Sequence, residues 1–292
     1  CEVSEVEAAA LSGPEAPIVL LKSLPNSLPD SIVPGLDRLG VMLPYTPFYH
    51  MILRRIGRPV VMTSGNPSGQ PQCITNADTR ERLADIADFA CLHDREIANR
   101  IDDSVVRVDL GRPRVLRRAR GYAPAGLPLP EGFSRATQVL AMGSEVKNTF
   151  CLVKGGQAIL SQHMGDLEDA ATHADAARNL DLYTRLFDHA PDIIAVDQHP
   201  QYLSTQAGHA RAEGRPVIAV QHHHAHIAAC LAENGRALDA PPVLGIAMDG
   251  TGLGDDGTIW GGEFLICDYR GYRRAGSLKP VALPGGAAAV RE

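Results

Sequence analysis

The sequence predicts an α/β protein in two parts. Short β-rich runs alternate with helical stretches along the chain, and a seam rich in proline and glycine interrupts that alternation before the middle. With 45% of the 292 residues hydrophobic and 21% charged, either part can bury an ordinary core. The length itself is worth about two domains at roughly 100 to 200 residues each.

The seam runs from Gly121 to Gly132, with three prolines and three glycines in twelve residues. Such a stretch continues neither a helix nor a central strand. It divides the chain into 1–124, a linker over 125–136, and 137–292.

In the first part, 17–21, 40–43, 59–63, 104–110 and 114–116 read as strands, being short and rich in β-branched or apolar residues. Thr46-Pro47 pairs an N-cap residue with proline at the first helical position, which opens a helix through 56. A second helix reads over 76–86. This part is mixed α/β.

In the second part, 138–141, 149–154 and 157–162 read as strands, the last two joined by the hairpin signal Gly155-Gly156. Helix 166–188, strand 193–196, helix 201–213, strand 217–220, helix 223–234 and strand 243–248 follow, with a return strand from 259. Three antiparallel strands and then α-β-α-β-α is the order of the ribonuclease-H-like half of the actin-like ATPases. The strand from 243, its glycine loop and the return strand would open a second such half.

Charge and cysteine usage exclude several classes. Twenty-eight basic residues against thirty-four acidic give a net charge of −6, which argues against a general nucleic-acid binder. No apolar run approaches the ~18 residues of a membrane span. Six cysteines lie far apart with no CxxC pair, the pattern of reduced thiols in the cytoplasm. The chain opens on Cys1 with no leader behind it and closes abruptly, so a piece of a longer protein is expected at both ends. The stretch 283–292 reads as an exit from strands into a helix start.

The strongest local signal is Gln221-His-His-His-Ala-His226, after a buried strand and opening a helix. It sets His222 and His226 one turn apart on one face, as divalent-metal ligands require. A zinc-protease motif needs Glu at 223, where this chain has His. The alternative is a polar helix start facing solvent, but four histidines in five residues at the carboxyl end of a parallel strand favour metal.

Next comes Asp249-Gly-Thr-Gly-Leu-Gly-Asp-Asp-Gly257. Gly250, Gly252 and Gly254 would let the backbone approach a phosphate, and Asp249 would join His222 and His226 on one ion. A calcium loop is disfavoured by Thr251 and Leu253 at ligand positions, and a plain hairpin is the simplest reading of the loop alone. Gly143 to Asn148 sits where actin-like folds carry their first phosphate loop, with Lys147 as the charge for a phosphate or carbamoyl oxygen. Thr63 to Gly69 is a hydroxyl- and amide-rich loop suited to an adenylate or a small carbonyl group, or else simply a turn. The clusters His93 to Glu96 and Asp102 to Ser104 add polar groups. Five arginines in nine residues, Arg112 to Arg120, fit a solvated edge strand, a phosphate clamp, or, less well given the acidity, an RNA patch.

At these residues the chain resembles a known family. Gly40 to Pro47, Thr63 to Gly69, His93 to Arg95, Arg100 to Val105 and Arg117 to Pro124 resemble the YrdC-like domain of HypF, the carbamoyltransferase family of [NiFe]-hydrogenase maturation. Lys147 to Phe150, Gly165 to Leu167, Asp197 to Pro200, Gln221 to His226 and Trp260 to Glu263 resemble that family's actin-like carbamoyl-transfer domain. The resemblance covers nearly the whole chain.

The resemblance implies an ATP-dependent route. Carbamate released from carbamoyl phosphate joins ATP, used with Mg2+, to give carbamoyl adenylate. The carbamoyl group then passes to the C-terminal cysteine of HypE, for the cyanide ligands of the hydrogenase iron. Thr63, Ser64, Asn66, Ser68, His93, Arg95, Asp103, Ser104, Arg117, Arg118 and Arg120 would hold the nucleotide and the carbamoyl group. Gly250, Gly252 and Gly254 would join them, and Lys147 and Asn148 would be catalytic. Iron or zinc would sit on His222, His226 and Asp249. The family places an acylphosphatase domain before this sequence and a further metal-ligating aspartate after it. Two rivals remain: an antibiotic O-carbamoyltransferase, which carries its domains in the opposite order, and a tRNA threonylcarbamoylation or RNA-binding module, which normally splits them between chains.

Overall fold

The structure is a computed structural model that describes residues 1–25, 28–29, 31–282 and 284. It divides into two compact units. The first takes 1–126 together with 146–149 and 159–187, and the second takes 127–145, 150–158 and the chain from 188 onward. Two segments from beyond the sequence seam therefore cluster with the first unit.

The first unit opens with α1 (Glu5–Ser12), a helix that the sequence reading passed over. Its signal is the capping box, in which Ser4 Oγ accepts from Glu7 N and Glu7 Oε2 accepts from Ser4 N. Strands β1 (Ile18–Lys22), β2 (Arg38–Val41), β3 (Val105–Asp109) and β4 (Arg112–Arg117) form one sheet in the order β2-β1-β3-β4. β1 and β3 run parallel, while β2 and β4 pair antiparallel at the edges. Val19, Leu21 and Val106 are almost wholly buried in it, with Leu11 of α1.

Helix α2 (Pro47–Ile56) starts where expected: Thr46 Oγ1 accepts from Tyr49 N, and Gly57 closes the helix in the left-handed region. Helix α3 (Asn76–Arg82) stops four residues short of the expected 86, because the chain turns at Leu83. The strand expected over 59–63 is not formed. Val60, Val61 and Met62 are exposed there and pair with no strand among the described residues, and strand propensity without a partner makes no ladder. Helix α4 (Ala170–Leu186), capped by Asp169 Oδ1 on Thr172 N, also belongs to this unit and begins later than the expected 166.

β5 (Leu127–Pro128), β6 (Val139–Ala141), β7 (Cys151–Lys154), β8 (Gln157–Leu160), β9 (Ile193–Asp197) and β10 (Val217–Val220) form a sheet ordered β10-β9-β6-β7-β8-β5, all within the second unit save the last two residues of β8. β6 is antiparallel to β7 and parallel to β9, and β9 is parallel to β10. This is the ribonuclease-H-like order expected from the sequence. The segment 125–136 is not bare linker, since it contributes β5, paired with β8. Helix α5 (Leu203–Ala210) lies close on this sheet: a Cβ on Gly208 would come within 2.4 Å of Val196 Cγ1.

Helix α6 (His222–Glu233) follows β10, and β11 (Val243–Leu253), β12 (Ile259–Cys267) and β13 (Tyr272–Ser277) make a three-stranded antiparallel sheet. Here the sequence misleads. The expected glycine loop from Asp249 is largely strand: β11 continues through Leu253, with its pairing to β12 shifted between Met248 and Gly252. Of the stretch 283–292, expected to lead into a helix start, all but Pro284 lies outside the described residues. Among the described residues no helix is long and apolar enough to cross a membrane.

Candidate functional site

In the second unit, β9 and β10 end side by side, with Val220 opposite Asp197. The chain then turns into α6, where the side chain of Gln221 caps the helix by accepting from His224 N at 2.9 Å. That cap fixes the first turn of α6 beside Asp197. Asp197 Oδ2 lies 2.7 Å from His222 Nδ1. The carboxylate holds the ring proton on Nδ1 and leaves the Nε2 lone pair free to ligate.

His222 Nε2 lies 2.9 Å from Asp249 Oδ2, His226 Nε2 3.5 Å from the same oxygen, and the two Nε2 atoms are 3.2 Å apart. Their ligating atoms all fall within 4.8 Å of one another. Donors about 2.0 to 2.2 Å from a tetrahedral ion stand roughly 3.3 Å apart, so this donor set fits a divalent ion with positions to spare. Asp249 sits where the β11 register shifts, and such irregularities re-aim side chains beside functional sites. Gly250 N donates to Asp249 Oδ1 at 2.8 Å and orients the carboxylate.

The hydrogen bond to Asp197 raises the His222 pKa above its ordinary value despite burial. Burial works to raise Asp249, but the Gly250 N–H and the neighbouring histidines outweigh it and keep the carboxyl low. Burial lowers His223, whose ring packs inward near Trp260. The histidine cluster is therefore divided: His222 and His226 face Asp249, while His223 is a core residue.

The three glycines do not share the open loop expected of them. Gly250 and Gly252 are β11 residues, and a Cβ on Gly252 would stand 2.7 Å from His223 Cε1. A Cβ on Gly254 would stand 2.0 Å from Trp260 Nε1. Close packing accounts for glycine at the last two.

The first unit holds a cavity of about 680 Å³ whose wall includes Ser64, Asn66, Arg117, Arg118, Lys147 and His163. It gathers part of the expected adenylate site. Asn66 Nδ2 donates to the carbonyls of Pro67 and Gln70, bracing the 64–70 loop. Lys147 takes a left-handed backbone, and its N–H donates to Asp166 Oδ1 at 2.8 Å. Asn148 is buried beside it, bonded through its backbone to Gly165 and Met164.

The other expected residues stand elsewhere. Thr63, Ser68, His93 and Arg95 are exposed and outside the cavity wall. Ser104 is fully buried, donating to the Arg120 carbonyl and accepting from Ala119 N. Arg120 is occupied by Asp103 Oδ1 and the Glu15 and Ala16 carbonyls, with its guanidinium 3.5 Å above the Tyr45 ring. Arg118 reaches the carbonyls of Tyr122 and Ala125. Arg118 and Arg120 are thus taken up in internal bracing, Arg112 and Arg114 are exposed on the edge strand β4, and Arg117 is exposed on the cavity wall.

Sequence reasoning missed Asp197 as the partner of His222, although an aspartate closing a strand parallel to the one before the histidines was a readable signal. It also missed His163, whose Nδ1 lies 2.7 Å from Asp102 Oδ2.

Comparison with known proteins places these features. Residues 134–233 match the "HypF Kae1-like domain" and 245–292 the "Carbamoyltransferase, Kae1-like Domain, second subdomain". Residues 1–119 match the Sua5/YciO/YrdC family, described as "Telomere recombination". The chain is 52% identical to carbamoyltransferase HypF of Rhodobacter capsulatus, over 97% of this chain and 38% of the relative. It is 35% identical to the probable carbamoyltransferase HypF of Methanocaldococcus jannaschii, over 99% of this chain and again 38% of the relative. Among solved structures it matches full-length HypF in a phosphate- and nucleotide-bound form with a TM-score of 0.85 and 45% identity, over 94% of this chain and 42% of that one. It matches T. kodakarensis HypF with a TM-score of 0.89 and 35% identity, over 99% of this chain and 38% of that one. The chain therefore spans about two fifths of the relatives' length, and it belongs to the HypF family, with a YrdC-like part followed by a Kae1-like part.

Proposed function

We propose that the protein is an ATP-dependent carbamoyltransferase of [NiFe]-hydrogenase maturation. The observation that carries this reading is the convergence of His222, His226 and Asp249 in the Kae1-like part of a chain that also holds a YrdC-like part. A nucleotide-bound HypF relative supports ATP as a substrate.

In this reading 1–124 acts as the YrdC-like domain, 125–136 as the connection and 137–292 as the carbamoyl-transfer domain. Carbamate drawn from carbamoyl phosphate attacks the α-phosphorus of ATP, giving carbamoyl adenylate and releasing pyrophosphate. Ser64 and Asn66 offer a hydroxyl and an amide to the carbamoyl group, and Arg117 offers charge to the phosphate. Lys147 supplies a cation to the carbonyl or the leaving phosphate. Arg118, Arg120, Asp103, Ser104 and Asn148 hold the frame that carries these groups. The carbamoyl group then passes to the C-terminal cysteine of HypE, whose later dehydration yields the cyanide ligands. The setting is the cytoplasm.

Iron or zinc would be held by His222, His226 and Asp249, with Asp197 steadying His222. Such an ion supplies charge to polarise a phosphoryl or carbonyl oxygen. The test is ATP–pyrophosphate exchange by the full-length protein with and without carbamoyl phosphate. Exchange that depends on carbamoyl phosphate is expected, and its absence would overturn the reading.

A further inference from the structure

His163 follows β8 and lies on the cavity wall with Ser64, Asn66, Gln72 and Asp102. All five belong to the first unit, although His163 stands beyond the sequence seam. The loop over 64–72 shapes that wall. It pairs with no strand among the described residues, so its form rests on individual hydrogen bonds. Cys73 N donates to the Gly65 carbonyl at 2.9 Å, and Asn66 Nδ2 donates to the carbonyls of Pro67 and Gln70. Two arginines tie down its far end. Arg82 of α3 donates to the Pro71 carbonyl at 2.9 Å, and Arg100 Nε donates to the Gln72 carbonyl at 2.6 Å. Arg100 is itself paired with Asp175 of α4, whose side chain is 7% exposed.

The Gln72 side chain carries a further tie. Its Nε2 donates to Asp102 Oδ1, and the other oxygen of that carboxylate lies 2.7 Å from His163 Nδ1. Burial opposes the Asp102 charge, yet the bond from His163 and the nearby Arg117 outweigh it and keep the carboxyl below its ordinary value. An ionised carboxylate only accepts, so His163 Nδ1 carries the proton and donates. His163 is fixed in its turn, because its backbone N–H donates to the Arg118 carbonyl at 2.8 Å. One chain of bonds therefore runs from a pinned backbone through His163, Asp102 and Gln72 to the loop.

We propose that His163 is a positioning residue for adenylation: through Asp102 and Gln72 it holds the loop that brings Ser64 and Asn66 to the carbamoyl group. The proposal rests on the carbamoyl-adenylate reading above. His163 takes no part in the bond changes of that step. Its effect is on placement, and a shift of about 1 Å in a group that orients substrate can cost roughly 10²-fold in rate.

The test is carbamoyl-phosphate-dependent ATP–pyrophosphate exchange by the full-length protein at saturating substrates. His163→Leu deletes the donor and should slow exchange by about 10- to 100-fold. His163→Gln keeps a donor for Asp102 and should bring exchange back to within a few-fold of the unmodified protein. Gln72→Leu cuts the same chain of bonds and should slow exchange by a similar factor. The double variant should be little slower than either single one, because residues that act through one another are not additive. The thermal midpoint should stay well above the assay temperature in every variant. Zinc affinity at His222, His226 and Asp249, which lie in the second unit, should not change. Undiminished exchange in His163→Leu would overturn the proposal, as would no recovery in His163→Gln, or losses that multiply in the double variant. A midpoint that falls to the assay temperature, or a matching loss of zinc affinity, would also overturn it by making the effect a general loss of structure. No exchange in the unmodified protein would overturn the carbamoyl-adenylate reading, and this inference with it.

Discussion

Asp197 Oδ2 and His222 Nδ1, 2.7 Å apart, tie the end of β9 to the first turn of α6. The bond does two jobs: it selects the His222 tautomer and turns Nε2 toward Asp249. Removing an outer carboxylate of this kind typically costs about 10- to 100-fold in metal affinity. Asp197→Ala should therefore weaken zinc binding by that order, read by competition with a chromogenic chelator, while His226→Ala should weaken it more by deleting a donor. If Asp197→Ala binds zinc as tightly as the unmodified chain, the orienting role is wrong.

A second expectation concerns Gly252. A Cβ there would approach His223 Cε1 to 2.7 Å and His222 Cβ to 3.0 Å, at the start of α6. Gly252→Ala should cost about 1 to 3 kcal/mol, as overpacking of a tight contact does, and should lower the thermal midpoint. Gly250, with nothing within 4 Å of an added Cβ, serves as the control, and Gly250→Ala should leave the midpoint nearly unchanged. Equal midpoints for both variants would return the glycines to a ligand role.

Much of this was legible from residue order. Thr46-Pro47 announced α2, and Gly155-Gly156 announced the turn between β7 and β8. The i, i+4 spacing of His222 and His226 announced that they share one face, because a helix places those positions together whatever surrounds it. What stayed hidden depends on neighbours across the fold. Asp197 meets His222 only because β9 and β10 lie parallel and in register. Gly250 and Gly252 imitate a loop in sequence, yet Gly252 pairs with Trp260 of β12 and Gly250 lies in the irregularity just before it, so both belong to β11. The 59–63 run has the composition of a strand and lacks a partner among the described residues. The arginine run announced a charged patch, but Asp103 and the Glu15 and Ala16 carbonyls that occupy Arg120 come from other segments.

The pH dependence of stability should show a contribution from His189. Its ring is almost wholly buried, its Nε2 donates to the Val153 carbonyl at 3.2 Å, and burial holds its pKa below the ordinary value. The unfolded chain takes up this proton near pH 6.5, whereas the folded chain resists it until lower pH. The neutral ring is therefore no burden above about pH 6.5, and stability is lost as pH falls below that value through the folded pKa. Urea unfolding measured from pH 7.5 to 5 should show this decline. His189→Gln, which keeps a donor for Val153, should flatten it. An identical slope in the variant would assign the decline to other groups.

The last expectation concerns an ion pair between β12 and β13 of the three-stranded sheet. Glu263 is 1% exposed, and Arg274 meets both of its oxygens, Nε at 2.7 Å and Nη2 at 2.9 Å, while stacking 4.2 Å over Trp260. A buried carboxylate that loses its cation costs far more than the intact pair contributes. Arg274→Ala should therefore destabilise the chain by about 3 kcal/mol, toward the lower end of the usual span because the arginine itself is partly exposed. Adding Glu263→Gln to that variant removes the stranded charge and should recover part of the loss. If the double variant proves less stable than Arg274→Ala alone, the penalty comes from lost packing over Trp260 and not from the uncompensated carboxylate.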